Sequence, residues 1–431
     1  MTATAQGPER SETEILAELD AWLEENWDVD LSVAEWWQRL GQSGWAAPTW
    51  PVEWFGKGLA RAVGNKVGKA IGEFGAVGPP AGLGMMLAGP TIIAHGTDEQ
   101  KARLLEPIVT GTHAWCQLFS EPGAGSDLAS VQTRAVRDGD EWIVNGQKVW
   151  TSGGQIADVG MLIARTDPEL PKHSGITYFA IDMDQPGIDV RDLREMTGRS
   201  LFSEVFLEDA RVADDAIVGE LNGGWAAALT TLANEREGLG AGGGGAAGGA
   251  VPGTKAGMLE RRVGDLAKKR RRGGGAGVPG MIGKAGTMLT EIAKENGKIE
   301  DASTRQDLMR LHSLTEIGRF ATVRAKAEKA IGKRIPGDAN ISKLNMSRIV
   351  RLTRDVGIKI LGPGGTLMGK ESPTGGMVQE LALFSPAVSI YGGTDQVQRN
   401  IIGERVLGLP KEPGPEKGTP FKDLKVGTQQ A

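Results

Sequence analysis

The sequence predicts a multidomain α+β protein in which a β domain separates two helical domains. Apolar residues recur at helical spacing from residue 11 to about 113, and short alternating β-prone segments follow as far as about residue 220. Helical spacing then returns, and a chain of 431 residues is too long for one hydrophobic core. We therefore assign an N-terminal helical domain to residues 1–113, a β domain to 114–221, a helical domain to 222–410 and a tail to 411–431.

The helical segments carry start and stop signals. In SETEILAELDAWLEENW, Ser11 or Thr13 can cap a helix, and in GTDEQKARLLEPIVTG, Thr97 precedes two acids and a glycine ends the pattern. After the β domain, two long apolar stripes predict helices in RQDLMRLHSLTEIGRFATVRAKAEKAIGK and ISKLNMSRIVRLTRDVGIKILG.

The β domain contains the strongest local signal for a hairpin. In WIVNGQKVWTSG, the pair Asn145-Gly146 stands between two β-prone runs and predicts a tight turn between two strands. Further strands are predicted in VGMLIART, GITYFAIDMD, GIDVRDL and SEVFLEDARV.

Composition argues against several classes of protein. The formal net charge of −5 argues against a general nucleic-acid-binding protein, and no apolar run reaches the length that spans a bilayer. Four histidines and a single cysteine, none at ligand spacing, predict neither a metal site nor an intrachain disulfide. Since the first residues also lack the apolar core of a signal peptide, we expect a cytoplasmic protein without membrane contact.

Glycine is unusually abundant, with 64 residues, many of them between Gly238 and Gly283. Because glycine opposes a helix interior, we expect the helix after Arg236 to be shortened, broken or mobile. The basic run from Lys268 to Arg272 is typical of a solvated surface, with CoA phosphates, an acidic partner or nucleic acid as alternative contacts. The Pro-, Gly- and Lys-rich tail predicts an extended or disordered arm.

Two stretches carry candidate binding residues. In LFSEPGAGSD, residues 123–126 form a turn of small residues that lets backbone N–H groups approach a ligand, with the Ser120 hydroxyl nearby. In NGQKVWTSGG, Trp150 offers a flat stacking face beside the hydroxyls of Thr151 and Ser152. On these residues alone, a polar loop and a tryptophan packed in the β core are equally good interpretations.

Together these stretches resemble the paired flavin-binding signatures of the acyl-CoA dehydrogenases. HGTDEQKARLL and YGGTDQVQRNIIGERVLGLP match the same family in the same order, so the resemblance covers residues 15–410. It implies an N-terminal helical domain, a middle β-barrel or β-sandwich domain and a C-terminal four-helix bundle. It also implies FAD as cofactor and oxidation of an acyl-CoA thioester to the trans-2-enoyl-CoA. Electrons would pass to an electron-transferring flavoprotein, from a homo- or hetero-oligomer that is a dimer or tetramer.

The resemblance also implies roles for single residues. Contacts with FAD are implied for the backbone at Leu118 and for Ser120, Gly125, Ser126, Trp150, Thr151 and Ser152, and, from a neighbouring subunit, for Gly362, Gly365, Thr394 and Gln396. Of these, Ser152 would lie near N5 of the flavin. Contacts with the substrate are implied for Ser126, Arg236 and Tyr391.

One expected carboxylate is missing. Many family members carry the catalytic base as the glutamate of a C-terminal Y-E-G-T signature, where this sequence reads Tyr391-Gly392-Gly393-Thr394. A glycine still has a backbone N–H, so we expect Gly392 to donate to the thioester oxygen. The resemblance to other branches of the family then implies the base at Glu235, just before an arginine on the first helix of the C-terminal domain.

Alternatives are open at these positions. Glu235 also fits one of many acids on a helix face, and Arg236 either meets a CoA phosphate or pairs with Glu235. The Arg-x-x-Phe-Gly signature of the family is reduced to Gly297 within AKENGK, and Lys359 replaces the usual glutamine of the cross-subunit FAD contacts. These departures favour a non-catalytic FAD-binding subunit as one alternative. A DNA-associated protein and a flavin monooxygenase on the same fold are two others.

Overall fold

The computed structural model of the chain describes residues 10–240, 250–271, 285–333, 335–369, 371–411 and 418–425. Within these residues, helices before and after a seven-stranded β-sheet confirm the predicted fold class. No helix of the described ranges combines the length and the hydropathy needed to cross a bilayer.

Side-chain hydrogen bonds cap the N-terminal ends of several of the helices that precede the sheet. The bounds of these helices are α1 Glu12–Asn26, α2 Val33–Gln42, α3 Arg61–Phe74, α4 Gly89–His95 and α5 Asp98–Val109. Ser11 accepts the backbone N–H of Glu14, and Thr97 accepts that of Gln100. Each is a capping box that satisfies free N–H groups of the first turn, and the caps predicted at Ser11 and Thr97 are confirmed.

The β domain is one sheet of mixed direction. Its strands are β1 Trp115–Leu118, β2 Arg134–Asp138, β3 Glu141–Ser152, β4 Val159–Arg165, β5 Ile176–Asp182, β6 Ile188–Leu193 and β7 Phe202–Ala213. Their order is β1-β4-β2-β3-β7-β6, with β5 also paired to β4. β1 runs parallel to β4, whereas β3 runs antiparallel to β2 and β7. The four segments predicted as further strands are confirmed.

The hairpin predicted at Asn145-Gly146 is wrong. Both residues lie inside β3, and the turn comes earlier, at Gly139, between β2 and β3. A Cβ atom on Gly146 would lie 2.8 Å from the Cα of Thr133, so glycine is required there by a close backbone approach. Asn145 instead donates its side-chain amide to Asp209 on β7 over 2.9 Å. Tertiary contacts therefore override the local turn preference.

The C-terminal domain is helical and has its own apolar core. The helices that follow the sheet are α6 Gly224–Gly240, α7 Val263–Arg271, α8 Ala285–Glu295, α9 Ala302–Ala330, α10 Asp338–Leu361, α11 Met377–Phe384 and α12 Asp395–Ile401. Leu289, Leu311 and Ile360 pack together between α8, α9 and α10. The two long predicted helices are confirmed as α9 and α10.

Several predictions about the glycine-rich region and the tail concern residues outside the described ranges. Helix α6 is continuous to Gly240, and the prediction of a break beyond it concerns residues 241–249, which lie outside the described ranges. The side chains of the basic run at 268–272 are also outside these ranges. Part of the tail is described: residues 418–425 include a short 3-10 turn, Phe421–Asp423, whose Phe421 is buried.

Helix α6 is held against the sheet and against α4 by small and hydroxylic residues. Its first residue, Gly224, lies directly on the backbone of β5, where an added Cβ would be 2.6 Å from the carbonyl carbon of Thr177. Further along, Thr231 hydrogen-bonds to Thr91 of α4 over 2.9 Å. The next turn of α6 carries Glu235, so these contacts fix the position of that carboxylate.

Replacing Gly224 by alanine should destabilise the protein, because the new methyl group meets backbone atoms of β5 that cannot move aside. We expect Gly224→Ala to reduce the free energy of unfolding by about 1–3 kcal/mol. Gly68→Ala is the matched control, since Gly68 lies in α3 and its Cβ would meet nothing within 4 Å. Thermal unfolding of both variants checks this, and equal midpoints for the two would contradict it.

Candidate functional site

The two predicted binding stretches meet at one end of the sheet. The backbone N–H of Val149 on β3 donates to the carbonyl of Ser120 over 2.9 Å. Ser120 follows β1, and Trp150 and Ser152 close β3, so this bond places the three side chains in one region. Within the described residues, no hydrogen bond engages the hydroxyls of Ser120 and Ser152, which leaves both available to a ligand.

Trp150 is displayed to solvent by a local irregularity of β3. The pairing with β7 shifts between Lys148 and Thr151, and Trp150 has a left-handed φ of 61°. Its side chain is 57% exposed, and its indole meets Phe202 edge to face. A β-bulge re-aims a side chain, and non-glycine residues at positive φ cluster at functional sites. The interpretation of Trp150 as a core residue is wrong.

Below Trp150, the strand is locked to the preceding loop by a buried ion pair. Lys148 is fully buried and lies 2.8 Å from a carboxylate oxygen of Glu121, and it also donates to the carbonyl of Phe119. Glu121 accepts the backbone N–H groups of Gln132 and Thr133. Burial alone would raise the pKa of Glu121, but the charge and hydrogen bonds of Lys148 and the backbone donors outweigh it, so the pKa is lowered.

The glycine-rich turn presents free polar groups. Glu121 and Ala124 exchange backbone hydrogen bonds of 2.9 and 3.0 Å, which close the turn. The next two residues, Gly125 and Ser126, are exposed, and among the described residues no protein group accepts their backbone N–H groups. Asp127 then accepts the Ser130 hydroxyl and pairs with Lys172. Adjacent free amides of this kind suit an anionic ligand.

Glu235 lies beside the first strand of the sheet. It is half-buried on α6, and the side-chain amide of Gln117 on β1 lies 3.5 Å from one of its oxygens. Burial raises the pKa of the Glu235 carboxyl, while Gln117 and Arg236 oppose that rise. Among the described residues, Glu235 and Arg236 do not form an ion pair, so Arg236 does not hold the carboxylate. Glu235 thus lies beside β1 and is partly withdrawn from solvent.

The glycine pair near the end of the chain forms a left-handed turn. Gly392 and Gly393 both have positive φ values, 62° and 82°, which favour glycine. Gln398 donates its side-chain amide to the carbonyl of Gly392 over 2.8 Å, and Thr394 caps α12 by accepting the N–H of Val397. Within the described residues, the N–H of Gly392 has no acceptor, so it is free to donate to a ligand.

The other predicted residues lie at several points of the C-terminal domain. Tyr391 is half-buried against Phe384, and Gln396 is exposed on α12. Gly362 and Gly365 form a 3-10 turn that follows α10. Within one chain, no hydrogen bond of the described residues joins these positions to the Ser120 and Trp150 region.

The structure shows the local contacts and conformation at the two places where the sequence departs from the family pattern, Lys359 and the segment around Gly297. Lys359 donates to Asp307 over 2.6 Å and to the hydroxyl of Ser303 over 3.0 Å, both on α9. The ammonium group of Lys359 is therefore paired within the same chain. Gly297, with a φ of 75°, starts the short 3-10 turn between α8 and α9.

Sequence reasoning missed Gln117, Glu121 and Lys148. The signal for Lys148 was available, because a lysine inside an apolar strand is rarely buried without a partner. The identity of the partner could not be read from the sequence, since 27 residues separate Lys148 from Glu121. Gln117 shares no motif with Glu235, and only the packing of α6 on β1 brings them together.

The residues present fit a flavin. Trp150 supplies an exposed aromatic face, the hydroxyls of Ser120 and Ser152 are free beside it, and Gly125 and Ser126 offer unpaired amides to a phosphate. Thr151 is fully buried, and its hydroxyl has no partner among the described residues.

Comparison with known proteins supports the same assignment. The chain matches the family models for the N-terminal, middle and C-terminal domains of acyl-CoA dehydrogenases over residues 9–112, 116–210 and 280–407. It is 36% identical to the acyl-CoA dehydrogenase IpdE1 of Mycobacterium tuberculosis, with 88% of each chain covered. It is also 36% identical to the acyl-CoA dehydrogenase FadE34 of the same organism, of which it spans 46% of the length.

Solved structures give the same result. The Tcur3481-Tcur3483 steroid ACAD superposes with a TM-score of 0.68 at 27% identity, covering 93% of this chain and 98% of that one. The ChsE4-ChsE5 complex from Mycobacterium tuberculosis has a TM-score of 0.66 at 27% identity, covering 95% of this chain and 100% of that one. The chain belongs to the acyl-CoA dehydrogenase family, whose members are FAD-dependent flavoproteins.

Proposed function

We propose that the chain dehydrogenates an acyl-CoA thioester between its α and β carbons, with Glu235 as the catalytic base. The observation that carries this proposal is the half-buried carboxylate of Glu235 beside Gln117, in a chain where Gly392 replaces the usual glutamate. A base removes the α proton most effectively when its pKa lies near the working pH. Burial moves the pKa of Glu235 in that direction.

In this proposal the cofactor binds at the end of the sheet where Ser120 and Trp150 lie. FAD, when bound, supplies the acceptor for the hydride that leaves the β carbon. Trp150 packs along the ring system, while the Ser120 and Ser152 hydroxyls and the backbone at Leu118 donate to its polar edge. Gly125 and Ser126 receive a phosphate of FAD or of CoA.

The thioester carbonyl gains negative charge as the α proton leaves, and Gly392 supplies a donor for it. Its N–H has no acceptor among the described residues, and a backbone donor needs no side chain. Arg236 and Tyr391 complete the substrate contacts, with Arg236 facing a CoA phosphate. Among the described residues Arg236 forms no ion pair with Glu235, which leaves its guanidinium available to a CoA phosphate.

We further propose that the acyl group carries a bulky ring system. A glycine at residue 392 leaves space where a glutamate side chain would otherwise project. The similarity to a steroid ACAD supports this substrate class.

The working form is proposed to be an oligomer in the cytoplasm that passes electrons to an electron-transferring flavoprotein. Helix α9 exposes more than half of each of four apolar side chains: Met309, Ile317, Phe320 and Val323. A second chain packed on α9 would cover them. It would also bring residues such as Gly362, Gly365, Thr394 and Gln396 to the FAD of the neighbouring site.

A second candidate function is a FAD-binding subunit that needs a different catalytic chain. The engagement of Lys359 by Asp307 and Ser303 favours it, since this lysine stands where a cross-subunit FAD contact is expected. Copurification with a second homologous chain, together with loss of turnover when that chain is absent, would support this candidate over the first.

Glu235→Gln should retain FAD but lose dehydrogenation, because the amide cannot accept the α proton. We expect bleaching of the flavin by ring-bearing acyl-CoAs under anaerobic conditions to slow by about 100-fold or more. The matched control is Glu24→Gln, at an exposed position of α1. Bleaching of Glu235→Gln at the wild-type rate would exclude Glu235 as the base.

The same variant should be more stable than the wild type at neutral pH. A carboxyl whose pKa is raised in the folded state binds its proton more tightly there than when unfolded, so stability falls as pH rises through the folded pKa. Glutamine carries no such penalty. Thermal unfolding of Glu235→Gln should therefore show a higher midpoint than wild type at pH 7–8 and none of this advantage well below the ordinary glutamate pKa of about 4.3. A lower midpoint at neutral pH would contradict the account.

Gln117→Leu should move the pH profile of flavin bleaching to higher pH. Gln117 and the positive charge of Arg236 oppose the rise in the pKa of Glu235, so removing the amide raises that pKa further and demands more alkaline conditions for an ionised base. Gln155→Leu, on the exposed side chain that binds Asp192, is the control. An unchanged midpoint of the profile would show that Gln117 does not act on Glu235.

A further inference from the structure

A C-terminal arm, residues 418–425, crosses back to the β domain. The match to the C-terminal family domain ends at residue 407, so the arm lies outside the part of the chain that this family model covers. Pro420 pairs with Pro171 as an isolated antiparallel bridge, and a short turn at Phe421–Asp423 follows. The arm is therefore a docked element of this chain.

The arm docks on the loop of residues 166–175 between β4 and β5. The N–H of Phe421 donates to the carbonyl of Leu170 over 2.9 Å, and that of Lys422 donates to Pro168 over 3.0 Å. Lys422 also forms an exposed ion pair with Glu169 at 2.6 Å. Only the Phe421 side chain is buried, at 8% exposure, so it is the anchor of the arm.

Phe421 covers a buried arginine. The guanidinium carbon of Arg165, at the end of β4, lies 3.6 Å from the centroid of the Phe421 ring. Arg165 is only 4% exposed and donates through one terminal nitrogen to the carbonyl of Lys172 over 2.9 Å. Through the other it donates to the carbonyl of Ala129 over 2.7 Å. One side chain thus joins the loop to the segment that follows the glycine-rich turn.

This junction is connected to the residues that follow the phosphate-binding turn of the proposed function. Lys172, whose carbonyl Arg165 holds, pairs through its ammonium group with Asp127. Asp127 follows Ser126, and Ala129 lies two residues further on. The turn is therefore fixed from two sides, and both supports converge on Arg165.

We propose that Phe421 and Arg165 are positioning residues for coenzyme A, which act by holding the turn at Gly125 and Ser126 in its binding conformation. The proposal rests on the proposed function, because it requires this turn to contact CoA. Phe421 keeps water from the guanidinium, and hydrogen bonds from a desolvated cation are stronger and more directional than those from a solvated one. Without that cover, the Arg165 bonds compete with water and the turn loosens.

The test is Phe421→Ala in the full-length, FAD-loaded protein. Losing a desolvated cation–π contact should weaken binding of coenzyme A by about tenfold in isothermal titration calorimetry. KM for an accepted acyl-CoA should rise by a similar factor while kcat stays within about twofold, since neither residue touches the reacting atoms. Phe421→Tyr keeps the aromatic cover and should restore wild-type values. Lys422→Ala, which removes only the exposed ion pair, should behave as wild type.

Several outcomes overturn the proposal. It fails if coenzyme A binds Phe421→Ala as tightly as wild type, or if Phe421→Tyr does not restore binding. It fails equally if Lys422→Ala weakens binding as much as Phe421→Ala, because the arm would then act without Arg165. Arg165→Lys, which retains the charge but not both bonds, should also weaken binding, and wild-type affinity in that variant contradicts the proposal. Failure of the proposed function is distinct, since it would leave the wild-type protein itself without turnover.

Discussion

A buried ion pair between Lys148 and Glu121 joins the two chain segments on which the site depends. The lysine has no exposed surface, and its carboxylate partner is held in turn by backbone donors at Gln132 and Thr133. Breaking such a pair on one side typically costs about 3–5 kcal/mol, because a lone charge stays buried. Its position, between Ser120 and Trp150, means that the loop and the strand that face the proposed cofactor cannot move independently.

The position of Glu235, the proposed base, follows from a second constraint, the packing of α6 against the sheet. Gly224 allows the helix to start on the backbone of β5, and Thr231 bonds to Thr91 one turn before Glu235. The carboxylate is thereby placed beside Gln117 and partly withdrawn from water, which raises its pKa. A raised pKa costs stability at neutral pH but suits proton abstraction, a common compromise at active sites.

Much of this arrangement could be predicted from the sequence because it depends on local chemistry or on ordered motifs. The caps at Ser11 and Thr97 and the strands β4 to β7 belong to this group. The turn expected at Asn145-Gly146 is not formed. Glycine is required at residue 146 by its close approach to Thr133, and not by a tight turn. The exposure of Trp150 depends on a bulge, and the partners of Lys148, Glu235 and Arg165 depend on contacts across the fold. No local pattern encodes such contacts.

The most direct test of the central claim is a structure of the protein with FAD and a non-reactive acyl-CoA analogue bound. The measurement is the distance from the Glu235 carboxylate to the α carbon of the thioester. We predict that a carboxylate oxygen lies about 3–3.5 Å from that carbon, with the N–H of Gly392 directed at the thioester oxygen. An α carbon beyond the reach of Glu235, with another carboxylate beside it, would contradict the account.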